Sequence, residues 1–485
     1  MRLRDLADGD SDSMFSDAIV CDAVVTGFAI DHRKVARGSV FGAFRGGSFN
    51  GEDFIAEAVN RGAIAVVALP QAVVAQVPHI ASPEPRARFA ELAAKFYAPF
   101  PDIVVAVTGT NGKTSTVEMT RQIWRISGHR SASIGTLGVT TSDDQVKTGL
   151  TTPDIVTFLS NMAGLKRMGI SHAAYEASSH GLDQHRCEGV ALAAAAFTNF
   201  SRDHLDYHGS IDAYFEAKMR LFERLLRPGA PIVVWTDDGR SDEVIARSEK
   251  CGHKVMTVGA KGETIRLVDQ EPTPLGQNLL LEHDGKRYTL NLPLIGAYQA
   301  ANVLTAAGLV LATGGEWDAT FSAMQRVAPV RGRLERAVIS KSGAPVYVDY
   351  AHTADALEAA IAALRPHVDG RLIVVFGAGG DRDQGKRPEM GAAASKFGDV
   401  VIVTDDNPRG EDPTAIRRQI LAEAPGAIEV ADRREAIREA FRQAKSGDIV
   451  LLAGKGHETG QIIGAGADQR VLPFDDVLVA RECAG

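Results

Sequence analysis

The pattern of apolar and polar positions is most informative between residues 103 and 124. Five consecutive apolar residues, Ile103 to Val107, are mostly β-branched and predict a buried strand. Glycine and polar residues follow and predict a turn, and helical character then extends from Thr114 to Trp124. This order of strand, glycine-rich turn and helix is typical of a phosphate-binding loop, around which we expect the rest of the chain to be organised.

Strand and helix patterns on both sides of this loop divide the chain into three α/β segments. Breaks rich in proline or glycine lie at residues 98–101 and 328–333. We therefore predict an α/β fold with a small N-terminal domain over 1–101, a central phosphate-loop domain with a parallel sheet over 102–330, and a Rossmann-like domain over 331–485. The predicted strands outside the central domain are 24–27, 39–44, 63–67, 346–348, 372–376, 400–404, 428–430 and 449–452, and the N-terminal helices are 54–60 and 87–97.

Composition narrows the class of protein. The 485 residues are 45% hydrophobic and 24% charged, as in globular enzymes, and the formal net charge of −8 argues against nucleic acid or an anionic membrane as the main partner. The N-terminus has no apolar signal segment, and the apolar runs near Ala63 and Ala191 are too short to span a bilayer. We expect a cytoplasmic monomer whose scattered cysteines are structural or incidental: Cys21, Cys187, Cys251 and Cys483.

The glycine-rich turn predicts a nucleotide site. Thr108 to Ser115 spell TGTNGKTS, a shortened variant of the usual GxxxxGK[ST] loop that begins with threonine. Backbone N–H groups at the helix start can hold phosphates, Lys113 can neutralise their oxygens, and the hydroxyl of Thr114 or Ser115 can hold Mg²⁺. The alternative is an ordinary strand–turn–helix joint with a surface lysine. The agreement of strand, loop and helix favours a site for a nucleoside triphosphate.

Polar clusters follow other predicted strands of the central domain, at the sheet edge where ligands bind in open α/β folds. Glu176 could reach a magnesium ion beside the phosphate loop, and the next loop places Asp203, His204 and Asp206 within four positions. Each cluster alone could equally be a capping loop, but two on one sheet favour a site. Lys218 lies on an amphipathic helix, where spacing alone indicates a solvated lysine.

The third segment has strand-end clusters of its own. Asp349 should face the domain junction, and Arg333 could close onto phosphates. The segments 405–409 (DDNPR) and 454–458 (GKGHE) end two further strands. The run at 376–381, FGAGGD, lacks the third glycine of a dinucleotide fingerprint, so we interpret it as a turn facing a ligand cleft.

Together the motifs TGTNGKTS, EASSHGL, TNFSRDHLDYHG, RGRLE, VDYAHT and DNPR resemble the Mur ligase family in residues, order and spacing. The resemblance covers nearly the whole chain and is loosest at the N-terminus. It implies the three-domain Mur ligase fold and an ATP-dependent amide ligase of peptidoglycan precursor synthesis. Within the family, the resemblance points to the branch that adds meso-diaminopimelate to UDP-N-acetylmuramoyl-L-alanyl-D-glutamate through an acyl phosphate. The implied cofactors are ATP, two Mg²⁺ ions and a carbamate formed from CO₂ on Lys218.

The resemblance implies a role for each residue at a matching position. Catalytic roles fall on Lys113, Glu176, His204, Lys218, Arg333 and Asp349. ATP would contact Thr108, Gly109, Thr110, Asn111, Gly112, Lys113, Thr114, Ser115, Asn302, Arg333 and Asp349. Mg²⁺ would be held by Thr114, Glu176, His204 and Lys218 as N6-carboxylysine, since a carbamate supplies the anionic oxygen that an ammonium lacks. The UDP-linked substrate would contact Ile30, His32, Thr151, Thr152, Ser178, Gln184 and Arg186, and diaminopimelate would contact Arg382, Asp406, Asn407, Pro408, Arg409, Gly454 and Glu458.

The sequence departs from the family pattern in three places. His32 stands where serine commonly faces the uridine, and Gln299 replaces an asparagine near the adenine. Tyr175 and Ala177 flank Glu176 in place of methionine and valine. None of these changes removes a catalytic group.

The DNPR segment predicts which amino acid is added. Meso-diaminopimelate differs from L-lysine by a carboxylate beside its second amine. The guanidinium of Arg409 can bind that carboxylate bidentately, and Glu458 can pair with the neighbouring ammonium. L-Lysine would leave Arg409 without a partner, and sites of this kind reject such analogues by about 10⁴-fold. From the tetrapeptide alone, an Asn-Pro turn is the alternative.

Two other functions stay open from the sequence. A folylpolyglutamate synthase resembles this family in fold and phosphate loop, but it would not need an N-terminal uridine-binding domain or DNPR. A phosphate-loop switch or motor would need a second ATPase element, such as four apolar residues leading into Asp-Glu, and none is obvious. Dependence of ATP turnover on both a UDP-muramyl peptide and an amino acid separates the ligase from the switch.

Overall fold

The computed structural model describes residues 1–7, 23–46, 49–142, 144–146 and 149–484, so Cys21 lies outside the described part. Three larger sheets follow one another along the chain, with four, eleven and six strands, together with a two-stranded sheet near the C-terminus. The mixed α/β class with parallel sheets is therefore confirmed. The domain limits at 101 and 330 stay a prediction.

The first sheet is parallel throughout and has the order β1-β2-β3-β4. Its strands are β1 Gly27–Ala29, β2 Ser39–Gly42, β3 Ala63–Ala68 and β4 His79–Ala81. The helices of this region are α1 Leu3–Ala7, α2 Ile55–Asn60 and α3 Pro85–Tyr97. The strand predicted at 24–27 instead begins at Gly27, where pairing with Ser39 starts. Phe89 and Leu92 of α3 are buried in a cluster that continues into the central sheet, so the two regions share apolar packing.

The central sheet is built around β5, Ile103–Thr108. Successive residues of this strand face opposite sides, with Val104 and Ala106 in one buried cluster and Val105 and Val107 in the other. A strand covered on both faces must be apolar at every position, which explains the unbroken run in the sequence. The strand order is β15-β14-β13-β12-β11-β10-β5-β9-β6-β7-β8. The strands besides β5 are β6 Ser131–Gly135, β7 Gly138–Thr140, β8 Gln145–Val146, β9 His172–Glu176, β10 Ala194–Phe197, β11 Pro231–Trp235, β12 Lys254–Gly259, β13 Ile265–Thr273, β14 Gly276–His283 and β15 Lys286–Leu292.

Helices cover both faces of this sheet. The central helices are α4 Lys113–Ile126, α5 Ile155–Arg167, α6 Ser179–Asp183, α7 Leu205–His208, α8 Ile211–Arg220, α9 Ser241–Lys250, α10 Ala297–Ala312 and α11 Trp317–Met324. The helix predicted at 211–226 is α-helical to Arg220 and continues as a π-helical turn, Leu221–Leu225. The β13–β15 antiparallel strands differ from the strand–helix alternation expected between 103 and 330. Leu279, Leu281, Leu290 and Leu292 of these strands are buried together in one apolar cluster.

The third sheet has the order β16-β17-β21-β18-β19-β20 and is parallel except for its edge strand β16. Its strands are β16 Glu335–Ile339, β17 Pro345–Asp349, β18 Leu372–Phe376, β19 Val400–Val403, β20 Ile428–Glu429 and β21 Ile449–Ala453. The small sheet pairs β22 Gly460–Ile463 with β23 Arg470–Pro473. The helices are α12 Ala354–Leu364, α13 Lys386–Phe397, α14 Pro413–Leu421, α15 Arg433–Gln443 and α16 Asp476–Ala484. The loops after β17, β18, β19 and β21 all leave the same edge, where the polar clusters were predicted. In the part of the chain that the structure describes, no helix is both long and apolar enough to cross a membrane.

A buried ion pair joins the last helix to the third sheet. Arg433 donates through Nε and Nη2 to the Asp476 carboxylate at 2.8 and 2.7 Å, and Nη2 also donates to the Ala453 carbonyl at 2.8 Å. The two side chains are only 1% and 0% exposed. The adjacent Arg434 pairs with Glu482 at the surface instead. The two neighbouring arginines therefore each pair with a carboxylate, one inside the protein and the other at its surface.

Replacing Arg433 by methionine should lower the free energy of unfolding of the third domain by about 3–5 kcal/mol, because Asp476 is left charged and unpaired inside the protein. The matched Arg434→Met change should cost less than about 1 kcal/mol, since an exposed pair contributes little. Calorimetric unfolding of both variants measures the difference. Equal losses would contradict the importance given to burial.

Candidate active site

The phosphate loop needs glycine at two positions. Gly109 and Gly112 have φ values of +148° and +82°, which side-chain-bearing residues rarely adopt. A Cβ atom on Gly109 would lie 1.9 Å from Thr198 Oγ1, and one on Gly112 would lie 2.3 Å from Asn302 Oδ1. The loop thus folds between the ends of two other elements at distances that only glycine allows.

The loop that follows β10 fixes the phosphate loop in place. The Asn199 carbonyl accepts from the Thr110 N–H at 2.9 Å, and Asn199 Oδ1 accepts from the Asn111 N–H at 2.8 Å. Thr198 Oγ1 donates to the Asn111 carbonyl at 2.6 Å. These contacts hold the phosphate loop rigidly at the start of α4.

Two lysines converge on one backbone oxygen. Lys113 Nζ donates to the Gly109 carbonyl at 2.9 Å and to the Thr110 carbonyl at 2.7 Å, while Lys218 Nζ donates to the same Gly109 carbonyl at 2.7 Å. Lys218 is 1% exposed and lies 4.2 Å from the centre of the Tyr214 ring. Burial and the nearby Lys113 hold the pKa of Lys218 well below its usual range. The indication of a solvated lysine, drawn from spacing alone, is wrong.

Glu176 is placed at the end of β9 as predicted and is 2% exposed. Its Oε1 accepts from the Thr136 N–H at 2.7 Å, and its Oε2 accepts from the hydroxyls of Thr114 and Thr136, each at 3.1 Å. The Thr114 hydroxyl in turn accepts from Arg333 Nη2 at 3.2 Å. A Cβ on Gly135 would lie 2.1 Å from Glu176 Oε1, so this turn also depends on a glycine.

His204 stands beside Asp203 at the start of α7. Its backbone is left-handed, with φ of +52°, and its Nε2 lies 3.4 Å from Asp203 Oδ2. Although 44% of the side chain is exposed, the surrounding protein and the positive groups at Lys113 and Lys218 lower the pKa of His204 to about 4. We therefore describe it as a neutral imidazole, which can ligate a metal or accept a hydrogen bond.

Arg333 and Asp349 bring the third sheet onto this site. The Asp349 carboxylate accepts from the backbone N–H groups of Leu334 and Ala351 at 2.7 and 2.8 Å. Burial raises the pKa of Asp349, and the charge of Arg333 opposes that rise. The Arg333 guanidinium lies 4.5 Å from the centre of the Tyr350 ring.

Gln299, one of the departures from the family pattern, connects α10 with the Arg333 segment. Its Nε2 donates to the Arg333 carbonyl at 3.2 Å, and its Oε1 accepts from Asn302 Nδ2 at 3.2 Å. The side chain is 1% exposed. Gln299 therefore orients Asn302, the predicted adenine neighbour, through a direct hydrogen bond.

These groups surround a cavity of about 650 Å³ at the junction of the second and third sheets. The predicted residues that line it are Thr110, Asn111, Gly112, Lys113, Thr114, Ser115, Thr151, Glu176, Ser178, His204, Lys218, Asn302, Arg333 and Asp349. Predicted residues outside this lining are Thr108, Gly109, Ile30, His32, Thr152, Gln184 and Arg186, together with the predicted diaminopimelate residues Arg382, Asp406, Asn407, Pro408, Arg409, Gly454 and Glu458. Other lining residues, for which no role was predicted, include Thr136, Thr198, Asn199, Tyr214, Tyr298 and Tyr350.

The donor set fits Mg²⁺ shared with a phosphate ligand. Mg²⁺ usually takes one or two protein oxygens and completes its shell with phosphate and water. The hydrogen-bonded pair of Thr114 and Glu176 supplies a hydroxyl and a carboxylate beside the phosphate loop. Within the described ranges, no three His, Cys, Asp or Glu side chains form a metal-binding group by themselves. A metal here would depend on oxygens from the ligand.

The predicted UDP-substrate residues fall into two groups. Thr152 donates to Ser178 Oγ at 2.9 Å, and Arg186 donates through Nε and Nη2 to Gln184 Oε1 at 3.1 and 2.6 Å, close to the cavity. Ile30 and His32 lie separately by the first sheet. The His32 ring stacks on Phe54 with ring centres 4.2 Å apart, which gives it a fixed, flat orientation.

The predicted diaminopimelate residues cluster at the edge of the third sheet. Arg409 has a left-handed backbone, with φ of +49°, and its Nη1 donates to the Gly380 carbonyl at 2.9 Å. The FGAGGD turn thus lies against Arg409, and the prediction that it faces a ligand cleft stays a prediction. Asn407 Nδ2 donates to Glu458 Oε2 at 2.9 Å. Arg382 is exposed on the same turn and donates to the Asp381 carbonyl at 3.5 Å.

Sequence reasoning missed Lys455 in this cluster. The residue lies between two glycines of GKGHE and looks like a loop lysine, yet it is 0% exposed and contacts Asp406 and Glu458 at 3.2 and 3.3 Å. The available signal was a lysine within three positions of a glutamate at a buried strand end. Burial itself could not be read from the sequence.

Two family models match the chain, the Mur ligase middle domain over residues 107–310 and the Mur ligase, glutamate ligase domain over 332–456. The chain belongs to the Mur ligase family. The UDP-N-acetylmuramoyl-L-alanyl-D-glutamate–2,6-diaminopimelate ligase of Zymomonas mobilis is 58% identical over 461 residues, which cover 95% of each chain. The sequence similarity to this relative therefore extends over almost the whole chain.

Solved structures agree with this membership. A structure of a UDP-N-acetylmuramoyl-L-alanyl-D-glutamate–2,6-diaminopimelate ligase is 32% identical, with a TM-score of 0.72, and the match covers 100% of this Mur ligase and 98% of that chain. A Mycobacterium tuberculosis folylpolyglutamate synthase, solved with ADP and AMPPCP, is 21% identical with a TM-score of 0.62 over 74% of this chain and 89% of its own. The likeness to the folylpolyglutamate synthase shows a shared fold and nothing more.

Changing Gly112 to alanine should abolish binding of ADP and ATP, because the new methyl group would collide with Asn302 while the backbone is strained at positive φ. Gly128, just after α4, also has positive φ, at +92°, but open space around it. Gly128→Ala therefore carries the backbone strain without the collision. Calorimetric titration with ADP should show loss of binding only for Gly112→Ala, and equal loss in both would contradict the steric account.

Proposed function

We propose that this Mur ligase joins meso-2,6-diaminopimelate to the D-glutamate of UDP-N-acetylmuramoyl-L-alanyl-D-glutamate, using ATP. Support comes from the 58% identical relative that bears this name and from the match over nearly the full length of both chains. The observation that carries the proposal is one shared cavity in which the phosphate loop and Glu176 face Arg333 and Asp349. A phosphate-loop switch would not need a second domain with an amino-acid pocket.

The first step would activate the substrate carboxylate. An oxygen of the D-glutamyl carboxylate attacks the γ-phosphorus of ATP, the bond to the β-phosphate oxygen breaks, and ADP leaves. Lys113 and the N–H groups at the start of α4 would hold the phosphates, and Arg333 would approach them from the other side. Mg²⁺, when bound, would neutralise charge on phosphate oxygens near Thr114 and Glu176.

The second step would form the amide. The amine of the added amino acid attacks the carbonyl carbon of the acyl phosphate, phosphate leaves, and the nitrogen loses a proton. Water would compete for the same carbon, so closure of the third domain over the cavity is expected to protect the intermediate. The aromatic contact between Arg333 and Tyr350 lies at that closing surface.

Lys218 would carry the carbamate that the family resemblance implies. A neutral amine adds to CO₂ and releases one proton, giving an N–H and an anionic carboxylate. The buried Lys218 Nζ lies on the Gly109 carbonyl, and a carbamate nitrogen retains one N–H that could make this hydrogen bond. The new negative charge would also offset Lys113 nearby.

The amino-acid pocket would be the cluster of Arg382, Asp406, Asn407, Pro408, Arg409, Gly454 and Glu458. Burial lowers the pKa of Arg409, and the charges of Asp406 and Glu458 oppose that shift. Only Nη1 of its guanidinium donates to protein carbonyls within the described residues, so Nε and Nη2 stay available for a carboxylate. This arrangement suits the extra carboxylate of diaminopimelate.

The three predicted domains would divide the work. Residues 1–101 would bind the UDP end through Ile30 and His32, residues 102–330 would bind ATP, and residues 331–485 would bind the amino acid. We also propose that the enzyme acts as a cytoplasmic monomer, because one chain supplies all three sites.

ATP turnover should require both UDP-N-acetylmuramoyl-L-alanyl-D-glutamate and meso-diaminopimelate, with L-lysine at least about 10⁴-fold poorer in kcat/KM. Arg409→Ala should lose most of the efficiency for diaminopimelate and keep its ADP affinity. Arg418→Ala, an exposed arginine of α14, serves as the control. Equal use of L-lysine by the unchanged enzyme, or ATP turnover without either substrate, would overturn the proposal.

Lys218→Ala should lose most of the turnover, because both the buried hydrogen bond and the carbamate are removed. Added acetate or propionate should restore part of it by supplying a carboxylate. Intact-protein mass spectrometry and ¹³C NMR with ¹³CO₂ measure the modification on the unchanged enzyme. A fully active enzyme whose Lys218 is free of carbamate would contradict this role.

A further inference from the structure

Lys455 is a fully buried cation within the amino-acid cluster. Its flanking glycines, Gly454 and Gly456, have φ values of +108° and +54°, and a Cβ on Gly456 would lie 2.6 Å from Tyr350 Cβ. This backbone directs the lysine side chain inward at the end of β21. Its Nζ donates to Asp406 Oδ1 at 3.2 Å, Asn407 Oδ1 at 3.0 Å and Glu458 Oε2 at 3.3 Å.

The three acceptors account for every proton of the ammonium. They are also three of the residues predicted to contact diaminopimelate. Burying a lysine costs several kcal/mol unless its charge is paired and its donors are satisfied, and both conditions are met here. The arrangement therefore fixes the charge and direction of all three side chains together.

The orientation of Asn407 follows from the same contact. Its Oδ1 accepts from Lys455 Nζ at 3.0 Å and from the Ile462 N–H at 2.9 Å. The amide nitrogen must then point the other way, where Nδ2 donates to Glu458 Oε2 at 2.9 Å. Glu458 thus receives two donors on one oxygen, which leaves Oε1 for another partner.

Without Lys455, Asp406 and Glu458 would be two carboxylates in one half-buried cluster. Their side chains are 7% and 28% exposed, so water could screen their repulsion only in part. Rotation of Glu458 away from the cluster would relieve this repulsion. That rotation would remove the anion that an ammonium of the amino acid would meet.

We infer that Lys455 is a positioning residue for the added amino acid: it holds the Glu458 carboxylate oriented toward the distal ammonium and holds Asn407 in a single amide orientation. This inference rests on the proposed function. Lys455 itself would make no contact with the amino acid, because its three donors are already used inside the protein.

The test compares Lys455→Met, which keeps the length and removes the charge, with Lys396→Met, whose ammonium lies at the surface over Phe397. Lys455→Met should raise the KM for meso-diaminopimelate at least 10-fold and leave the KM for ATP within about 2-fold. Lys396→Met should change neither. A lysine that only stabilised the fold would reduce the active fraction, and so kcat, with no change in the KM for diaminopimelate.

A double-mutant cycle with Glu458→Gln tests whether the effect passes through Glu458. Because both changes would remove the same oriented anion, the double variant should be no more than about 2-fold worse in KM for diaminopimelate than the poorer single variant. Additive losses, or an unchanged KM in Lys455→Met, would overturn the inference. If Lys455→Met does not fold, Lys455→Gln replaces it under the same criteria. Failure of the unchanged enzyme to use diaminopimelate at all would instead refute the proposed function.

Discussion

Two lysine side chains, from the phosphate loop and from α8, donate to one backbone oxygen, that of Gly109. The contact requires the loop to lie so close to Thr198 that a Cβ at position 109 would sit 1.9 Å from its hydroxyl. Two ammonium groups this close repel each other, and burial adds to the cost for Lys218. The burial of Lys218 and the proximity of the two lysines favour loss of a proton from Lys218, while Asp203 opposes it. The proposed phosphate binding and the proposed modification of Lys218 would both draw on this constraint.

The cavity is divided between the second and third sheets, which meet through both polar and apolar contacts. Arg333 donates to Thr114, Gln299 donates to the Arg333 carbonyl, and Tyr298 lies 3.4 Å from Asp349. Ile295, just before α10, is buried in the apolar cluster of the third sheet, and Tyr298 packs against that cluster. The first and second sheets also share a buried apolar cluster. Apolar packing therefore contributes at both junctions, and the polar contacts place Arg333 beside Thr114 of the phosphate loop.

Predictions from the sequence were most accurate where a pattern of residues is compatible with only one local structure. The apolar run of β5 and the glycines after it gave the strand and the loop correctly, and the ligand class of the loop stays a prediction. The carboxylate of Glu176 was also expected at a strand end, and it lies there. By contrast, the antiparallel pairing of the β13–β15 strands depends on which of their faces neighbouring elements cover. The local pattern of apolar and polar residues does not show this.

Buried lysines mark the other limit of sequence reasoning. Lys218 and Lys455 are both fully buried, yet isolated helix or loop patterns indicate solvated lysines for each. The motif order of the family restored Lys218 to the site, because its spacing from His204 is fixed. Nothing comparable pointed to Lys455, whose three partners come together only when two strand ends meet. Sequence patterns report local periodicity, whereas burial of a charge is decided by contacts far apart along the chain.

The charged groups in the two parts of the site suit their proposed ligands. Cations and carboxylates both line the nucleotide cavity, as suits a triphosphate bound together with Mg²⁺: Lys113, Lys218, Arg333, Glu176, Asp203, Asp237, Asp349 and Asp355. In the amino-acid cluster, the cations of Arg382, Arg409 and Lys455 outnumber the carboxylates of Asp406 and Glu458. Meso-diaminopimelate has two ammonium and two carboxylate groups, so it is neutral and can satisfy both signs. L-Lysine has one carboxylate fewer and would add a net positive charge to a half-buried cluster while Arg409 loses its partner. Specificity would then arise from an uncompensated charge as well as from a missing hydrogen bond, and both penalties act against the same competitor.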